Sequence, residues 1–128
     1  KIIFTQDTHD SNYLETNEGK HLPVPHCIAG TDGWKIVDEL SNDEDIIIYK
    51  SIFGNLYWSK LVSQRDDTIE IIGLCTDICV ISNALILKAM FPNSKITVDA
   101  SCCAGVTPET HKSAIEVMKI CQIDIIGE

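Results

Sequence analysis

Five short runs of β-branched and other apolar residues recur along this 128-residue chain, and the later runs alternate with helical patterns. The runs cover residues 2–5, 46–49, 69–72, 96–98 and 123–126. Each is apolar at both alternating positions, which is typical of strands buried on both faces of a parallel sheet. The spacing of these runs leaves room for helices between them, so the chain is predicted to be an α/β protein with a mainly parallel sheet flanked by helices.

Helix signals separate the last three runs. Thr76 is a candidate N-cap for a helix that continues to about Met90 and is stopped by Pro92. Thr107, Pro108 and Glu109 supply the cap, the N1 proline and the early acid of another helix. That second helix places four residues on one face: Ala114, Ile115, Met118 and Cys121. From residue 69 onward the order is therefore βαβαβ, with right-handed crossovers expected.

Length and composition limit the function classes. The chain fits one domain over residues 1–128, and 45% of its residues are hydrophobic, enough to fill a core. A net charge of −9 without Lys/Arg clusters argues against a nucleic-acid groove. No apolar stretch approaches the ~20 residues that a membrane span needs. Since the chain starts at Lys1 and enters an apolar segment at once, we expect it to be the remainder of a longer protein.

Six cysteines allow two interpretations: a secreted disulfide framework or reduced thiols. The chain is long enough to fold without disulfides and has nothing like a signal peptide at its start. We therefore expect reduced thiols in a cytoplasmic protein. The cysteines are Cys27, Cys75, Cys79, Cys102, Cys103 and Cys121.

Two connections are irregular. Residues 6–45 hold five glycines and prolines at scattered positions and three of the four histidines, with a short amphipathic stretch at residues 34–40. Irregular segments of this length in compact domains are usually functional or disordered. The polar stretch at residues 63–68 is expected to be a loop, not a linker between domains.

Chemistry is expected where strands end, because ligands of open α/β sheets bind beyond the carboxyl ends of the strands. Those positions hold an acid, an imidazole, an ammonium and thiols. They are Asp7, His9, Lys50, the turn at residues 73–79 and residues 99–103.

Cys79 is the candidate nucleophile. It lies in the first turn of the predicted helix, where unpaired N–H groups and the helix dipole favour a thiolate. A buried, inert cysteine at a helix start is the alternative. Lys50 ends a neighbouring strand, and its ammonium would lower the thiol pKa further, although a lysine at such a position is often only a solvated surface charge.

A second cluster has the ligand types of a divalent transition metal such as Zn²⁺. Its members are Asp7, His9, Glu15, Glu18, His21 and His26. The spacing is not that of a zinc finger, and polar histidines on a surface loop are the alternative. His111, inside a predicted helix, is assigned to packing or capping.

Four segments together resemble the isochorismatase-like cysteine hydrolase superfamily, and the segments with histidine resemble its nicotinamidase branch. They read FTQDTH at residues 4–9, PHCIAGTDG at 25–33, YKSIF at 49–53 and GLCTDICV at 73–80, of which the last is the most specific. Residues 98–100 and 105–111 also fit the family. The resemblance covers the whole chain and implies a Rossmann-like, three-layer fold.

The resemblance implies roles for the turn at residues 73–80. Cys79 is the nucleophile, Lys50 its positively charged neighbour, and the backbone N–H groups of Cys75 and Cys79 form the oxyanion hole. A non-proline cis peptide bond is expected at Leu74–Cys75.

The resemblance also implies a metal site and a pocket. Asp7, His9 and His26 are metal ligands, most often of zinc. Glu18 is the expected fourth ligand, with Glu15 or His21 as substitutes. The substrate pocket is expected to use Phe53, Tyr57 and Leu74; Tyr57 could equally be a packing residue, and core packing is the favoured role of Trp58.

Two departures from the family pattern stand out. The catalytic aspartate of the family lies after a first strand, and we expect that βα unit upstream of Lys1. The aromatic residue that often precedes the Pro-x-His-Cys segment is replaced here by Leu22, Pro23 and Val24.

Three functions are consistent with this resemblance. The first is a metal-dependent nicotinamidase, which hydrolyses nicotinamide to nicotinate and ammonia through a Cys79 thioester and serves NAD salvage in the cytoplasm. The second is a related hydrolase of another small amide or of isochorismate. The third is a non-catalytic binding module of the same fold. A small-molecule amide is the expected partner, and a homo-oligomer is the expected assembly.

Overall fold

Five parallel strands form two sheets in the part of the chain that the structure, a computed structural model, describes: residues 1–40, 42, 44–63 and 68–128. All five runs singled out by their apolar residues are strands, which confirms the α/β class. The described residues divide into two compact units, Lys1–Ile52 and Phe53–Glu128. Each unit is described by itself below.

The first unit contains a two-stranded sheet. Strand β1 (Ile3–Asp7) pairs in parallel with β2 (Ile46–Lys50), and the register places Asp7 opposite Lys50. The two strands therefore end side by side. The connection between them contains helix α1 (Asn17–His21) and three short 3₁₀ turns at Tyr13–Glu15, Asp32–Trp34 and Asp38–Leu40. The last two turns lie in and beside the amphipathic stretch at residues 34–40.

The second unit contains a three-stranded parallel sheet in the order β3–β4–β5. Its strands are β3 (Thr68–Leu74), β4 (Lys95–Ala104) and β5 (Asp124–Ile126). Helix α2 (Ile81–Met90) joins β3 to β4, and α3 (Pro108–Ile120) joins β4 to β5. The βαβαβ order expected from residue 69 onward is thus confirmed. Of the polar stretch at 63–68, residues 64–67 lie outside the described residues.

The two helix starts differ in their capping. The hydroxyl of Thr107 accepts a hydrogen bond from the N–H of Thr110, and the Thr110 side chain accepts one from the N–H of Thr107, so the predicted cap of α3 is confirmed. The predicted cap at Thr76 is wrong. Cys75 holds the N-cap position there, Thr76 opens a π-helical turn (Thr76–Val80) that leads into α2, and its hydroxyl bonds to another element.

The core of the second unit lies between its helices and β4. Alternate residues of β4 are buried, and so are three of the four residues expected on one face of α3, while Cys121 is half-buried. The buried residues of these two elements are Ile96, Val98, Ala100, Ala114, Ile115 and Met118. Because each fully buried aliphatic side chain contributes about 1.5–3 kcal/mol, this layer is a main source of stability.

The expectation that every strand is buried on both faces is wrong for β2 and β3. Ile47 and Tyr49 of β2 are exposed, as are Ile72 and Leu74 of β3. Burial instead alternates along both strands, which is the pattern of a sheet covered on one face. None of the described helices is long and apolar enough to cross a membrane.

Candidate functional site

Four polar side chains of the first unit converge on one point. They are Asp7, His9, Glu18 and His26, and their nearest ligand atoms all lie within 4.8 Å of one another. The Nε2 atom of His9 lies 3.3 Å from Asp7 Oδ2 and 3.6 Å from Glu18 Oε1. The Nε2 atom of His26 lies 3.7 Å from each of the same two oxygens.

The four nitrogen–oxygen distances are close to those of a tetrahedral metal site. Zinc bonds to nitrogen and oxygen are about 2.1 Å long, which puts the ligand atoms of a tetrahedron about 3.4 Å apart. His9 is 5% exposed, and its Nε2 is buried without a hydrogen-bond partner although two carboxylates face it. A buried polar nitrogen without a partner costs free energy, and a bound cation would remove that cost. The four residues could therefore hold a divalent metal ion.

Local structure explains how these residues meet. Asp7 ends β1, and Glu18 lies in the first turn of α1, where a helix start favours an acid. The segment after His26 pairs with the backbone of His9: the N–H of His9 donates to Cys27 O, and the N–H of Ala29 donates to His9 O, both at 2.9 Å. This parallel bridge brings His26 beside His9.

Tyr13 supports both imidazoles and was missed by the sequence analysis. Its ring packs edge-on against the rings of His9 and His26, with centroids 4.8 and 5.0 Å away. It is 1% exposed, and its hydroxyl donates to Leu22 O at 2.9 Å. Burial, together with the Glu18 and Asp7 carboxylates, raises the pKa of Tyr13 above its ordinary value. The signal in the sequence was an aromatic residue inside a ligand-rich segment.

Two further contacts fix this region. His26 Nδ1 lies 2.9 Å from the carbonyl oxygen of Val24, which orients the ring so that Nε2 faces the cluster. Gly19 lies so close to the backbone of Tyr13 that a Cβ atom would clash with its carbonyl oxygen. Only glycine therefore lets α1 pack this tightly.

The two substitute ligands lie elsewhere. Glu15 and His21 are exposed, and His21 Nδ1 lies 2.8 Å from the carbonyl oxygen of Asn17. The structure thus groups Glu18, and neither substitute, with the other three candidate ligands.

Lys50 is buried at the end of β2. Its side chain is 4% exposed, and Nζ donates to Asp7 Oδ1 at 3.1 Å. The alternative of a solvated surface charge is wrong for this lysine, because parallel pairing of β1 with β2 places it directly beside Asp7. Cys79 belongs to the second unit.

Cys79 lies in the π-helical turn Thr76–Val80, directly before α2. The peptide bond between Leu74 and Cys75 is cis, as expected. The N–H groups of Ile78 and Val80 both donate to Cys75 O, at 3.1 and 3.0 Å. Cys79 is half-buried.

Asn83 is a second residue that the sequence analysis missed. It is 5% exposed. Its Nδ2 donates to Cys79 O at 2.8 Å and to Phe53 O at 3.1 Å. Its Oδ1 accepts from the N–H of Asn55 at 2.8 Å and from Trp58 Nε1 at 3.1 Å. A polar residue on the buried side of a helix was the available signal.

His111 does not cap α3; its Nδ1 lies 2.8 Å from the Thr76 hydroxyl. Beside it, the Asp77 carboxylate accepts from the N–H of Val106 at 3.1 and 3.2 Å. Burial raises the pKa of Asp77, but hydrogen bonds from Thr110 and Val106 and the His111 charge outweigh it and hold that pKa below its ordinary value.

The residues expected to line a pocket are exposed: Phe53, Tyr57 and Leu74 at 45%, 62% and 69%. Trp58 is 7% exposed and packs in the core, as the sequence analysis favoured. In the second unit, therefore, Phe53 and Tyr57 are accessible to a ligand.

Comparison with known proteins gives a consistent result. The family model described as "Isochorismatase domain" matches residues 1–127. No curated protein sequence matches the chain.

Several solved structures share the fold, and three of them are described here. A nicotinamidase/pyrazinamidase from Bacillus subtilis is 23% identical over 97% of this chain and 73% of its own, with a TM-score of 0.81. A pyrazinamidase from Pyrococcus horikoshii in complex with zinc is 24% identical over 99% and 75%, with a TM-score of 0.78. A pyrazinamidase/nicotinamidase from Streptococcus mutans is 26% identical over 98% and 75%, also with a TM-score of 0.78.

Proposed function

The chain belongs to the isochorismatase family, and on that premise we propose that it is a metal-dependent nicotinamidase that converts nicotinamide to nicotinate and ammonia. The observation that carries the proposal is the cluster of Asp7, His9, Glu18 and His26, with a buried His9 nitrogen that lacks a hydrogen bond. An isochorismate hydrolase does not need a metal, so that function would not explain why these four ligands lie together. The named relatives with nicotinamidase or pyrazinamidase activity add support.

In this proposal the four cluster residues hold the cation, and zinc is the proposed metal because it binds His nitrogen and carboxylate oxygen together. When bound, the cation supplies a Lewis acid for the ring nitrogen of nicotinamide. Tyr13 packs against both histidine rings and so limits their rotation. The bond from His26 Nδ1 to the backbone likewise keeps its Nε2 directed at the cluster.

The covalent steps use Cys79. Its thiolate attacks the carboxamide carbon, and the oxygen of the carbonyl becomes an oxyanion that accepts hydrogen bonds from the N–H groups of Cys75 and Cys79. The proton that the thiol lost passes to the amide nitrogen, the C–N bond breaks as the carbonyl re-forms, and ammonia leaves. Water then attacks the thioester and the C–S bond breaks; one proton of the water returns to the sulfur and the other is released, which gives nicotinate and the free thiol. We propose Lys50 as the cation that favours the thiolate, and the aspartate expected upstream of Lys1 as the group that transfers protons.

Three exposed side chains of the second unit are proposed to contact the substrate ring: Phe53, Tyr57 and Leu74. The proposed setting is the cytoplasm, where nicotinamide arises when NAD is consumed, and the proposed assembly is a homo-oligomer. Cell fractionation tests the first of these, and light scattering of the purified protein tests the second.

The activity test is ammonia and nicotinate release from nicotinamide by the full-length protein. We expect turnover, and we expect Cys79→Ala to abolish it. The matched control is Cys121→Ala, since Cys121 is the C-cap residue that follows α3 and has no role in the proposed chemistry. No turnover, or turnover that survives Cys79→Ala, would reject the proposal.

A metal test separates nicotinamidase from a metal-free relative. Protein purified without chelator should carry close to one transition-metal ion per chain, because occupied sites of this kind hold their metal during purification. His9→Ala should remove it. Less than about 0.2 metal per chain, together with cleavage of another amide or of isochorismate, would replace the proposed function by the metal-free one.

A further inference from the structure

The side chain of Tyr13 contacts all three parts of the first unit that carry the candidate metal ligands. Its ring packs against His9, which follows β1, and against His26, with centroids 4.8 and 5.0 Å away. Its hydroxyl donates to the carbonyl oxygen of Leu22 at 2.9 Å, and Leu22 directly follows α1, the helix that carries Glu18. One side chain, only 1% exposed, therefore links the surroundings of three of the four ligands.

Leu22 is hydrogen-bonded toward a ligand on either side of it in the chain. Its N–H donates to Glu18 O at 2.8 Å, which closes the last turn of α1. Its carbonyl oxygen accepts from the N–H of Val24 at 2.8 Å, and Val24 O lies 2.9 Å from His26 Nδ1. The Tyr13 hydroxyl binds that same Leu22 carbonyl oxygen. It therefore attaches to the chain midway between two ligands.

The start of α1 is attached to the backbone of Tyr13 and not to its side chain. Tyr13 O accepts from the Thr16 hydroxyl at 2.6 Å, and Thr16 Oγ1 accepts from the N–H of Gly19 at 3.0 Å. A substitution of the Tyr13 side chain leaves these bonds in place. The attachment after α1, at Leu22, depends instead on the hydroxyl and is lost when that one group is removed.

Residues 18–26, which we name the ligand segment, have little else to hold their middle in place. The six residues 20–25 are all exposed, and the two largest apolar side chains among them, Leu22 and Val24, are 45% and 57% exposed. Pro23 and Pro25 have no N–H to donate. A segment with few buried apolar contacts opens easily unless hydrogen bonds hold it, so the bond from Tyr13 is expected to matter here.

We propose that Tyr13 is a positioning residue whose hydroxyl holds Glu18 and His26 in the cluster before a metal ion binds. This inference rests on the proposed function for the presence of a metal site. Without the hydroxyl, the ligand segment is released in the metal-free protein, and binding must order it again. That ordering costs free energy, so metal affinity falls. Because phenylalanine keeps the ring beside both imidazoles, Tyr13→Phe isolates the contribution of the hydroxyl.

The zinc affinity of the full-length protein tests the proposal without substrate. Competition with a chromogenic chelator gives the dissociation constant, measured well below the melting temperature of each variant. Tyr13→Phe should bind zinc about 10-fold more weakly than the wild type, as expected when a hydrogen bond that supports the ligands is lost. Tyr13→Leu should bind zinc more weakly still, because it also lacks the ring that packs against His9 and His26.

Two control variants match the chemical change. Tyr49→Phe removes the same hydroxyl from a tyrosine of β2 that is 61% exposed. Thr31→Val removes another hydroxyl-to-carbonyl bond of the first unit, from Thr31 Oγ1 to Ile28 O at 2.7 Å. Both controls should bind zinc within about twofold of the wild type, since neither bond reaches the ligand segment.

Hydrogen exchange separates positioning of the ligands from a purely structural role. Without zinc, the amides of the ligand segment should exchange faster in Tyr13→Phe than in the wild type. Saturating zinc should remove this difference, because the ion then holds Glu18 and His26 in place of the hydroxyl. A bond that only adds stability would leave the affinity within about twofold of the wild type and the exchange difference equal with and without zinc.

The outcomes distinguish this inference from the proposed function. Wild-type affinity in Tyr13→Phe overturns the inference, and so does a wild-type protein that binds no zinc. Nicotinamide turnover is measured on the same samples. Turnover together with wild-type affinity in Tyr13→Phe rejects the inference alone. Zinc binding that weakens as expected in Tyr13→Phe, without any turnover by the wild type, rejects the proposed function alone.

Discussion

Replacing Asn83 by leucine tests how strongly the buried hydrogen bonds beside Cys79 stabilise the protein. The two side chains are similar in size, but leucine makes none of the four hydrogen bonds of the amide. A typical intramolecular hydrogen bond contributes about 1 kcal/mol net, so four bonds amount to about 4 kcal/mol. Two of the partners, Asn55 and Trp58, are 3% and 7% exposed, so water cannot readily replace the amide.

Leucine recovers part of that loss by burying more apolar surface, so the expected destabilisation is about 3 kcal/mol. Urea unfolding measures it. With a slope of about 2 kcal/mol per molar, the midpoint should fall by about 1.5 M. Trp58→Phe removes one of the four bonds, about 1 kcal/mol, and the smaller ring leaves a cavity in the core that adds to the loss.

The control is Asn93→Ala, an exposed position after α2, which should leave the free energy of unfolding unchanged within about 0.5 kcal/mol. If Asn83→Leu unfolds within about 1 kcal/mol of the wild type, the four bonds do not stabilise the turn as argued. Equal losses for Asn83→Leu and Asn93→Ala would refute the reasoning in the same way.

Three further predictions concern metal, thiols and acid. Zinc added at about 100 times its Kd should stabilise the wild type by about 2.7 kcal/mol in calorimetry but leave His9→Ala unchanged; equal stabilisation of both would place the metal elsewhere. Sub-stoichiometric iodoacetamide at pH 6.5 should label Cys79 before Cys103, because burial raises the pKa of the Cys103 thiol; peptide mapping with Cys103 labelled first would contradict this. The pKa of Asp77 is lowered in the folded state, so the ionised carboxylate stabilises the fold at neutral pH, and this stabilisation is lost as pH falls below about 4. In Asp77→Asn the free energy of unfolding, measured with urea, should therefore decrease less as pH falls from neutral to below about 4 than in the wild type. An unchanged pH dependence would contradict this prediction.

Periodicity was enough to find the strands and the long helices, because those elements depend on neighbours within a few residues. Thr107 shows the success of such local rules, since its cap and the following proline form as expected. Thr76 shows where they fail. Its own segment favours a cap, but His111, 35 residues away, takes the hydroxyl. Helix and capping propensities cannot take account of a hydrogen-bond partner that only the tertiary fold brings close.

The candidate ligands were visible because few residue types bind metals, whereas the residues that support them were not. Tyr13 and Gly19 act through packing, and an aromatic residue or a glycine in a ligand-rich segment does not by itself say which side chains it will contact. Asn83 is similar: a single amide in a helix becomes informative only when its four partners are known. Alternate burial of β2 and β3 was also missed, because aliphatic residues occupy exposed as well as buried positions of these strands.

Asp7 belongs both to the cluster of candidate metal ligands and to the ion pair with Lys50, a residue 43 positions away in the sequence. One carboxylate oxygen accepts from the buried Lys50 ammonium at 3.1 Å, and the other lies 3.3 Å from His9 Nε2. A buried ammonium is stable only with a nearby negative charge, and a carboxylate is also a good ligand for a divalent cation. The parallel register of β1 and β2 places Asp7 beside Lys50, and His9 follows only two residues later in the chain. The one short side chain of Asp7 can therefore contact both the ammonium and the candidate metal ligands. A longer acid in this position would move its oxygens away from both partners, so the reach of aspartate, as well as its charge, defines the cluster.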